Sequence, residues 1–117
     1  MRHGDAHRKL GRHSSHRKAM LANMVASLIL EGSIETTVTR AKEVRRVAER
    51  IITRAKGGTL NDRRIVISRM NHKEAVIKLF DEVAPCFAER PGGYTRIIRT
   101  RTRLGDASQM AVIALVD

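Results

Sequence analysis

Residues 94–116, YTRIIRTRTRLGDASQMAVIALV, decide the fold because they predict two β-strands and the turn between them. Tyr94 to Arg103 and Gln109 to Val116 are rich in residues that favour strands, and residues 104–108 (LGDAS) have the composition of a hairpin loop. The second strand is apolar on both faces. Since such a strand is usually buried on both sides, we expect it in the centre of the sheet.

The sequence before this hairpin predicts one more strand and four helices. Apolar residues recur at helical spacing from Ser14 to Gly32, and Ser33 to Val38 is rich in Ile, Thr and Val. Further helices are expected over Arg40 to Lys56 with Thr39 as its cap, over Asn61 to Met70, and from Asn71 to just before Pro85. The order α-β-α-α-α-β-β predicts a two-layer α+β fold, with helices packed on one face of a small mixed sheet.

The length of 117 residues suits one domain. Residues 1–13 are basic and almost without large apolar side chains, so they cannot contribute to a core. We therefore expect a single domain over residues 1–117, with a basic N-terminal tail at 1–13 and an α+β body at 14–117.

The charge of the chain indicates a polyanionic partner. Its 23 Lys and Arg residues against 12 Asp and Glu residues give a formal net charge of +11. Arginine predominates, and its planar fork can bind a phosphate through two hydrogen bonds, which favours nucleic acid over an anionic membrane surface. The sequence has no apolar run long enough to span a membrane and no signal-peptide pattern, so we expect a cytoplasmic protein.

Aromatic residues are too few for a protein that stacks single-stranded bases. Phe80, Phe87 and Tyr94 are the only three, so the expected ligand is shaped, largely double-helical RNA. The predicted strand from Tyr94 carries four arginines with no acid within it, and alternation puts Arg99, Arg101 and Arg103 on one face and Arg96 on the other. The alternative is a solvated edge strand kept soluble by its charges.

Neither a metal site nor an active site is predicted. The N-terminal histidines have no standard ligand spacing, and they are better suited to hydrogen bonds with phosphates. Cys86, the only cysteine, is expected to be a small buried or half-buried apolar residue. We find no P-loop, dinucleotide-binding turn or serine-nucleophile motif, so we expect no enzyme activity, no cofactor and no small-molecule substrate.

Several motifs together resemble the bacterial large-subunit ribosomal protein seventeen family. They are Met1-Arg2-His3, Arg8-Lys9-Leu10, Ser14-Ser15-His16-Arg17-Lys18-Ala19-Met20, Ile34-Glu35-Thr36-Thr37, Ala41-Lys42-Glu43-Val44-Arg45, Arg63-Arg64, Lys78-Leu79-Phe80, Gly92-Gly93-Tyr94-Thr95-Arg96-Ile97, Gly105-Asp106 and Met110-Ala111. The resemblance covers the whole chain in order. It implies an α+β domain that contacts large-subunit ribosomal RNA and neighbouring ribosomal proteins, without catalysis or cofactor. It also implies that the family's glycine-tyrosine-threonine-arginine turn contacts RNA.

The residues and the resemblance together predict a structural constituent of the large ribosomal subunit that supports subunit assembly and translation. The predicted RNA-binding residues are Arg2, His3, Arg8, Lys9, Arg12, His13, His16, Arg17, Lys18, Arg45, Arg46, Tyr94, Thr95, Arg96, Arg99, Arg101 and Arg103. Two alternatives stay open at this point. A nucleoid-type DNA-binding regulator would need a recognition helix or a symmetric dimer, and a ribonuclease would need His13 or His16 for RNA cleavage.

Overall fold

The computed structural model describes residues 14–116 and has the predicted order of elements. Helix α4, a π-helical turn and helix α5 follow one another without a break and form the fourth helical segment. The elements are α1 (Ser14–Glu31), β1 (Ser33–Thr37), α2 (Val38–Gly57), α3 (Leu60–Arg69), α4 (Lys73–Lys78), the π-helical turn (Leu79–Val83), α5 (Ala84–Cys86), β2 (Thr95–Thr102) and β3 (Gln109–Leu115).

The sheet has the strand order β1-β3-β2, which confirms the central position predicted for the last strand. Both pairs are antiparallel, so the expectation of a mixed sheet is wrong. The reason lies in the order: β1 and β2 run in the same direction, but β3 lies between them and pairs with each in the opposite sense. Because β1 and β2 are the outer strands, each of them has one edge that no strand of this sheet covers.

The core lies between the helices and one face of the sheet. Ile113 of β3 is completely buried and pairs with Ile34 of β1 and Ile97 of β2, so this row of side chains faces the helices. Helices α1 and α2 supply most of the opposing side chains, namely Leu21, Val25, Leu28 and Ile29 from α1 and Val44, Ala48, Ile51 and Ile52 from α2. The next row across the sheet, Glu35, Val112 and Ile98, lies on the other face, which is hereafter called the open face.

Hydrogen bonds at the helix ends explain where the helices begin. The hydroxyl of Thr37 accepts a hydrogen bond from Arg40 N–H, so Thr37 is the cap of α2 and the prediction of Thr39 is wrong. Helix α3 begins with a reciprocal capping box between Thr59 and Asp62. Helix α4 is capped by His72 rather than by Asn71, through a hydrogen bond from Ala75 N–H to Nδ1.

Pro85 lies inside the last helical turn and not past its end, which corrects the predicted boundary. Proline has no N–H to donate, and the chain reaches it through a π-helical turn in which Ala84 N–H bonds to the carbonyl of Leu79. Ala84 and Phe87 point into the core from this turn. Cys86 is consequently exposed, against the expectation that it is buried or half-buried.

Candidate nucleic-acid interface

The predicted RNA-binding residues fall in several parts of the chain. Six of them, Arg2, His3, Arg8, Lys9, Arg12 and His13, lie outside the described residues. His16, Arg17 and Lys18 occupy the start of α1, where His16 and Lys18 are exposed and Arg17 is half-buried. The first turn of α1 has no acidic residue, and cations there oppose the helix dipole. An external anion at this end of α1 is therefore electrostatically favourable.

The arginines of β2 are arranged differently from the predicted alternation. The register shifts between Arg99, which pairs with Ala111, and Thr102, which pairs with Gln109, so β2 contains one more residue than β3 in this interval. Because of this extra residue, the side chains that follow it point to the opposite face of the sheet from the one that simple alternation predicts. Arg101 consequently bonds to Glu35 on the open face, the face that also carries Arg96. The prediction that Arg101 shares a face with Arg99 is wrong.

Two of these four arginines have acidic partners outside the strand. Arg101 Nη2 lies 3.2 Å from Glu35 Oε1, across the sheet on β1. Arg103 donates from Nε and Nη2 to the two carboxylate oxygens of Asp106 in the hairpin loop, at 3.0 and 2.5 Å. Arg96 and Arg99 are exposed and make no ion pair with any residue between 14 and 116.

These ion pairs lower the pKa of the carboxyl groups involved. The hydrogen bond from Arg101, followed by that from Thr100, holds the pKa of Glu35 below its usual value. The hydrogen bond from Arg103 lowers the pKa of Asp106 strongly, and Ser108 N–H contributes a further bond. Both pairs are open to solvent, where ion pairs contribute little to stability. They orient Arg101 and Arg103 without burying them.

The turn before β2 is held by a carboxylate of α2. Glu49 of α2 accepts hydrogen bonds from Tyr94 N–H at 3.1 Å, from Thr95 N–H at 3.1 Å and from the Thr95 hydroxyl at 2.9 Å. Glu43, another acid of α2, is 1% exposed. Glu43 therefore belongs to the interior of the fold, and the half-buried Glu49 is used to hold the turn, which leaves the outer surface of α2 basic.

Tyr94 is part of the body rather than of its surface. It is 1% exposed, and its ring lies 5.1 Å from that of Phe87. Lys56 Nζ donates to the Tyr94 hydroxyl at 3.0 Å and to the Arg90 carbonyl at 2.5 Å, and the bond to the hydroxyl lowers the pKa of the phenol. In this conformation the ring is not available to stack on a base. Tyr94 and Thr95 instead fix the direction in which β2 presents Arg96.

Arg45 and Arg46 lie on α2, exposed and half-buried respectively, outside the strand cluster. The structure thus brings together Arg96 and Arg101 on the open face, with Arg99 and Arg103 along the same hairpin, while His16, Arg17 and Lys18 sit at one end of α1. Sequence reasoning missed Glu35, Glu49, Lys56 and Asp106. Only Asp106 had a local signal, its position three residues after Arg103 and two before Ser108 in a predicted loop.

The described residues include no group of three or more His, Cys, Asp or Glu side chains placed to bind a metal ion. Between residues 14 and 116, no helix combines the length and the apolar character needed to cross a membrane.

Comparison with known proteins gives one consistent result. The model of the family described as ribosomal protein L17 matches residues 20–116. A protein of Fusobacterium nucleatum subsp. nucleatum, named large ribosomal subunit protein bL17, is 56% identical over 116 residues, which cover 99% of this chain and 100% of that protein. A protein of Campylobacter hominis with the same name is 51% identical over 117 residues, which cover 100% of this chain and 99% of that protein. The similarity therefore extends over essentially the full length of both relatives.

Proposed function

The chain belongs to the ribosomal protein L17 family, and we propose that it holds large-subunit ribosomal RNA by pairing its surface arginines with phosphates and by fitting the shape of the folded RNA. As a member of this family it is a structural constituent of the large subunit of the bacterial cytoplasmic ribosome and not an enzyme. Its partners are ribosomal RNA and neighbouring ribosomal proteins. The proposal includes neither a membrane nor a small-molecule substrate as a partner.

The observation that best supports this function is the exposure of two arginines on β2. Arg96 and Arg99 are exposed on an outer strand, and neither has a carboxylate partner among residues 14–116. Arg96 lies on the open face and Arg99 on the opposite side of the strand, so β2 presents positive charge in two directions. Such guanidinium groups are suited to bidentate contacts with phosphates.

The remaining predicted residues bind RNA or position a residue that does. Residues 1–13 form a basic tail that adds Arg2, His3, Arg8, Lys9, Arg12 and His13 to the RNA contacts, and residues 14–117 form the α+β body. Arg17 and Lys18 bind phosphates at the start of α1, and Arg45 and Arg46 do so from α2. Thr95 and Tyr94 act by positioning Arg96, through their bonds to Glu49 and Lys56. Phosphate contacts fix position without reading bases, so specificity comes from RNA shape.

The dependence of RNA affinity on salt tests this assignment. The double variant Arg96→Gln/Arg99→Gln is compared with Arg64→Gln/Lys73→Gln, which removes two exposed charges from α3 and α4. Both variants lower the formal charge by the same amount, so net charge alone predicts the same result for both. We expect the plot of log affinity against log salt concentration, for a large-subunit RNA fragment, to become shallower by about 2 for the β2 variant. Equal slopes for the two variants would reject β2 as the site.

A further inference from the structure

A second basic surface lies between α2 and α3, and none of the residues that line it has been assigned to RNA so far. It is a groove with a volume of about 590 Å³, bordered by Arg50 and Arg54 of α2 and by Arg69 of α3. Ile65 contributes to its lining, and Gly92 of the turn before β2 also borders it. No aromatic side chain is among the described residues that line the groove, so it offers no platform for stacking a base.

The acids that border the groove are already used within the fold. Glu49 accepts from Tyr94 N–H with one carboxylate oxygen and from Thr95 with the other. Asp62 accepts from Thr59 N–H and bonds to Arg54 at 3.3 Å, and the bonds with Thr59 lower the pKa of Asp62. Asp62 forms an ion pair with Arg54, whereas Glu49 bonds only to uncharged groups and keeps its negative charge at the border of the groove. Two of the three bordering arginines are left without an ion pair among residues 14–116.

Arg50 and Arg69 are those two arginines. Both are exposed, and neither makes an ion pair with a residue between 14 and 116. They stand on opposite walls of the groove, one on α2 and one on α3. Positive groups that face a common space without an anion repel each other, and an anionic ligand in that space would reverse the effect.

The shape of the groove is set by a close approach at its end. Gly57 closes α2 against the side chain of Asp62, and a Cβ atom at position 57 would collide with that carboxylate. The same carboxylate caps α3 and orients Arg54. The end of the groove is thus built from interlocking contacts between α2 and the start of α3.

The groove and the open face of the sheet lie on different sides of the molecule. Arg96 is on the sheet face turned away from the helices, because its neighbour Ile97 pairs with the buried Ile113. Helix α3 packs mainly on α2 and α4. The groove reaches the start of β2 at Glu49 and Gly92, whereas its α3 wall with Arg69 is separated from the open face by α2 and the sheet. An α-helix with its side chains alone is about 10 Å thick.

We propose that the groove between α2 and α3 binds the sugar-phosphate backbone of a second segment of ribosomal RNA, so that the protein bridges two RNA segments. The proposal rests on the proposed function and extends it to a separate site. Arg50 and Arg69 contact phosphates from the two walls, and Arg54, already oriented by Asp62, borders the same space. The open shape and the absence of a stacking platform among its described residues suit a backbone better than a single nucleotide.

Directed cleavage of the RNA in the assembled complex tests the bridging. A hydroxyl-radical probe is attached to Thr53→Cys in the groove or to Ile98→Cys on the open face, each in a Cys86→Ser background. We expect cleavage in two different RNA segments. Cleavage of the same segment from both positions overturns the bridging. Cleavage from position 98 alone overturns the groove site and leaves the proposed function intact, whereas cleavage from neither position contradicts both.

Charge variants test the chemistry of the groove. Arg50→Gln/Arg69→Gln should make the salt dependence of affinity shallower by about 2, whereas the Arg64→Gln/Lys73→Gln control changes it less. Arg50→Lys/Arg69→Lys retains the charges and should restore the slope, which separates loss of a contact from loss of folding. If the glutamine variant matches the control on RNA but enters large subunits poorly, the groove holds a protein segment and the RNA proposal is wrong.

Discussion

The two ends of strand β2 are held by different kinds of interaction. At its first residue, the strand is tied to α2 by Glu49, which bonds to two backbone N–H groups, and by Lys56, which reaches the buried Tyr94 hydroxyl. At its far end, the hairpin is held by ion pairs open to solvent, Arg101 with Glu35 and Arg103 with Asp106. The first end sets the direction of the strand, and the second leaves its arginines within reach of a ligand.

This difference follows from burial. A buried hydrogen-bond donor that loses its partner has no water to replace it, so the first end is costly to disturb. An exposed ion pair exchanges readily with water and salt ions, so the far end is inexpensive to open. A protein that binds RNA through β2 benefits from both properties, because the direction of the strand is fixed while its guanidinium groups can exchange a carboxylate for a phosphate.

Glu49→Ala should have the largest effect of the changes considered for β2. It removes three hydrogen bonds and leaves the N–H of the buried Tyr94 without its acceptor. We expect the free energy of unfolding to fall by about 2–3 kcal/mol, measured by urea denaturation. Glu89→Ala is the matched control, because Glu89 is exposed and has no bond to a residue between 14 and 116. Similar losses in the two variants would mean that Glu49 does not hold the turn.

Tyr94→Phe tests a smaller part of the same end. The change keeps the ring against Phe87 and removes only the hydroxyl that bonds to Lys56 and Thr53. We expect a loss of about 1–2 kcal/mol in the free energy of unfolding, because the hydroxyl makes two hydrogen bonds and each contributes about 1 kcal/mol or less. RNA affinity should fall only slightly, because Glu49 still binds the N–H groups of Tyr94 and Thr95 and so keeps Arg96 in position. A large loss of RNA affinity in a stable Tyr94→Phe protein would instead indicate a direct contact between Tyr94 and RNA.

The contrast between the two ends also explains what the sequence could predict. The helices and strands followed from apolar spacing and composition, and the central position of β3 followed from its two apolar faces. The role of Glu49 could not be predicted, because its partners are 45 and 46 positions away and exist only after α2 packs beside the turn. The bulge in β2 has no signature in the residues around Arg101, so the face of that side chain was assigned wrongly.

The sequence predicted a cluster of arginines on β2, but it did not predict which of them are free of acidic partners. A count of charges treats Arg96, Arg99, Arg101 and Arg103 alike, and the structure divides them into two that have acidic partners and two that have none between residues 14 and 116. The groove could not be predicted either. Arg50 and Arg69 are far apart in the sequence, and they border the same groove only because α3 packs on α2.

The smallest expected effect is the response of the far end of β2 to acid. The pKa of Asp106 is lowered by Arg103, and that of Glu35 by Arg101, so both carboxyl groups stabilise the folded hairpin above the pKa of the unfolded chain, which is about 4. This contribution is lost as the pH falls through the lower, folded pKa. The hairpin should therefore be unchanged between pH 7 and 5 and should loosen only in stronger acid.

An NMR titration of the Ser108 amide, which donates to Asp106 at 3.2 Å, reports this directly. Its midpoint should lie below the usual aspartate value and disappear in Asp106→Asn, and a midpoint at or above about 4 would show that Arg103 does not hold Asp106 in solution.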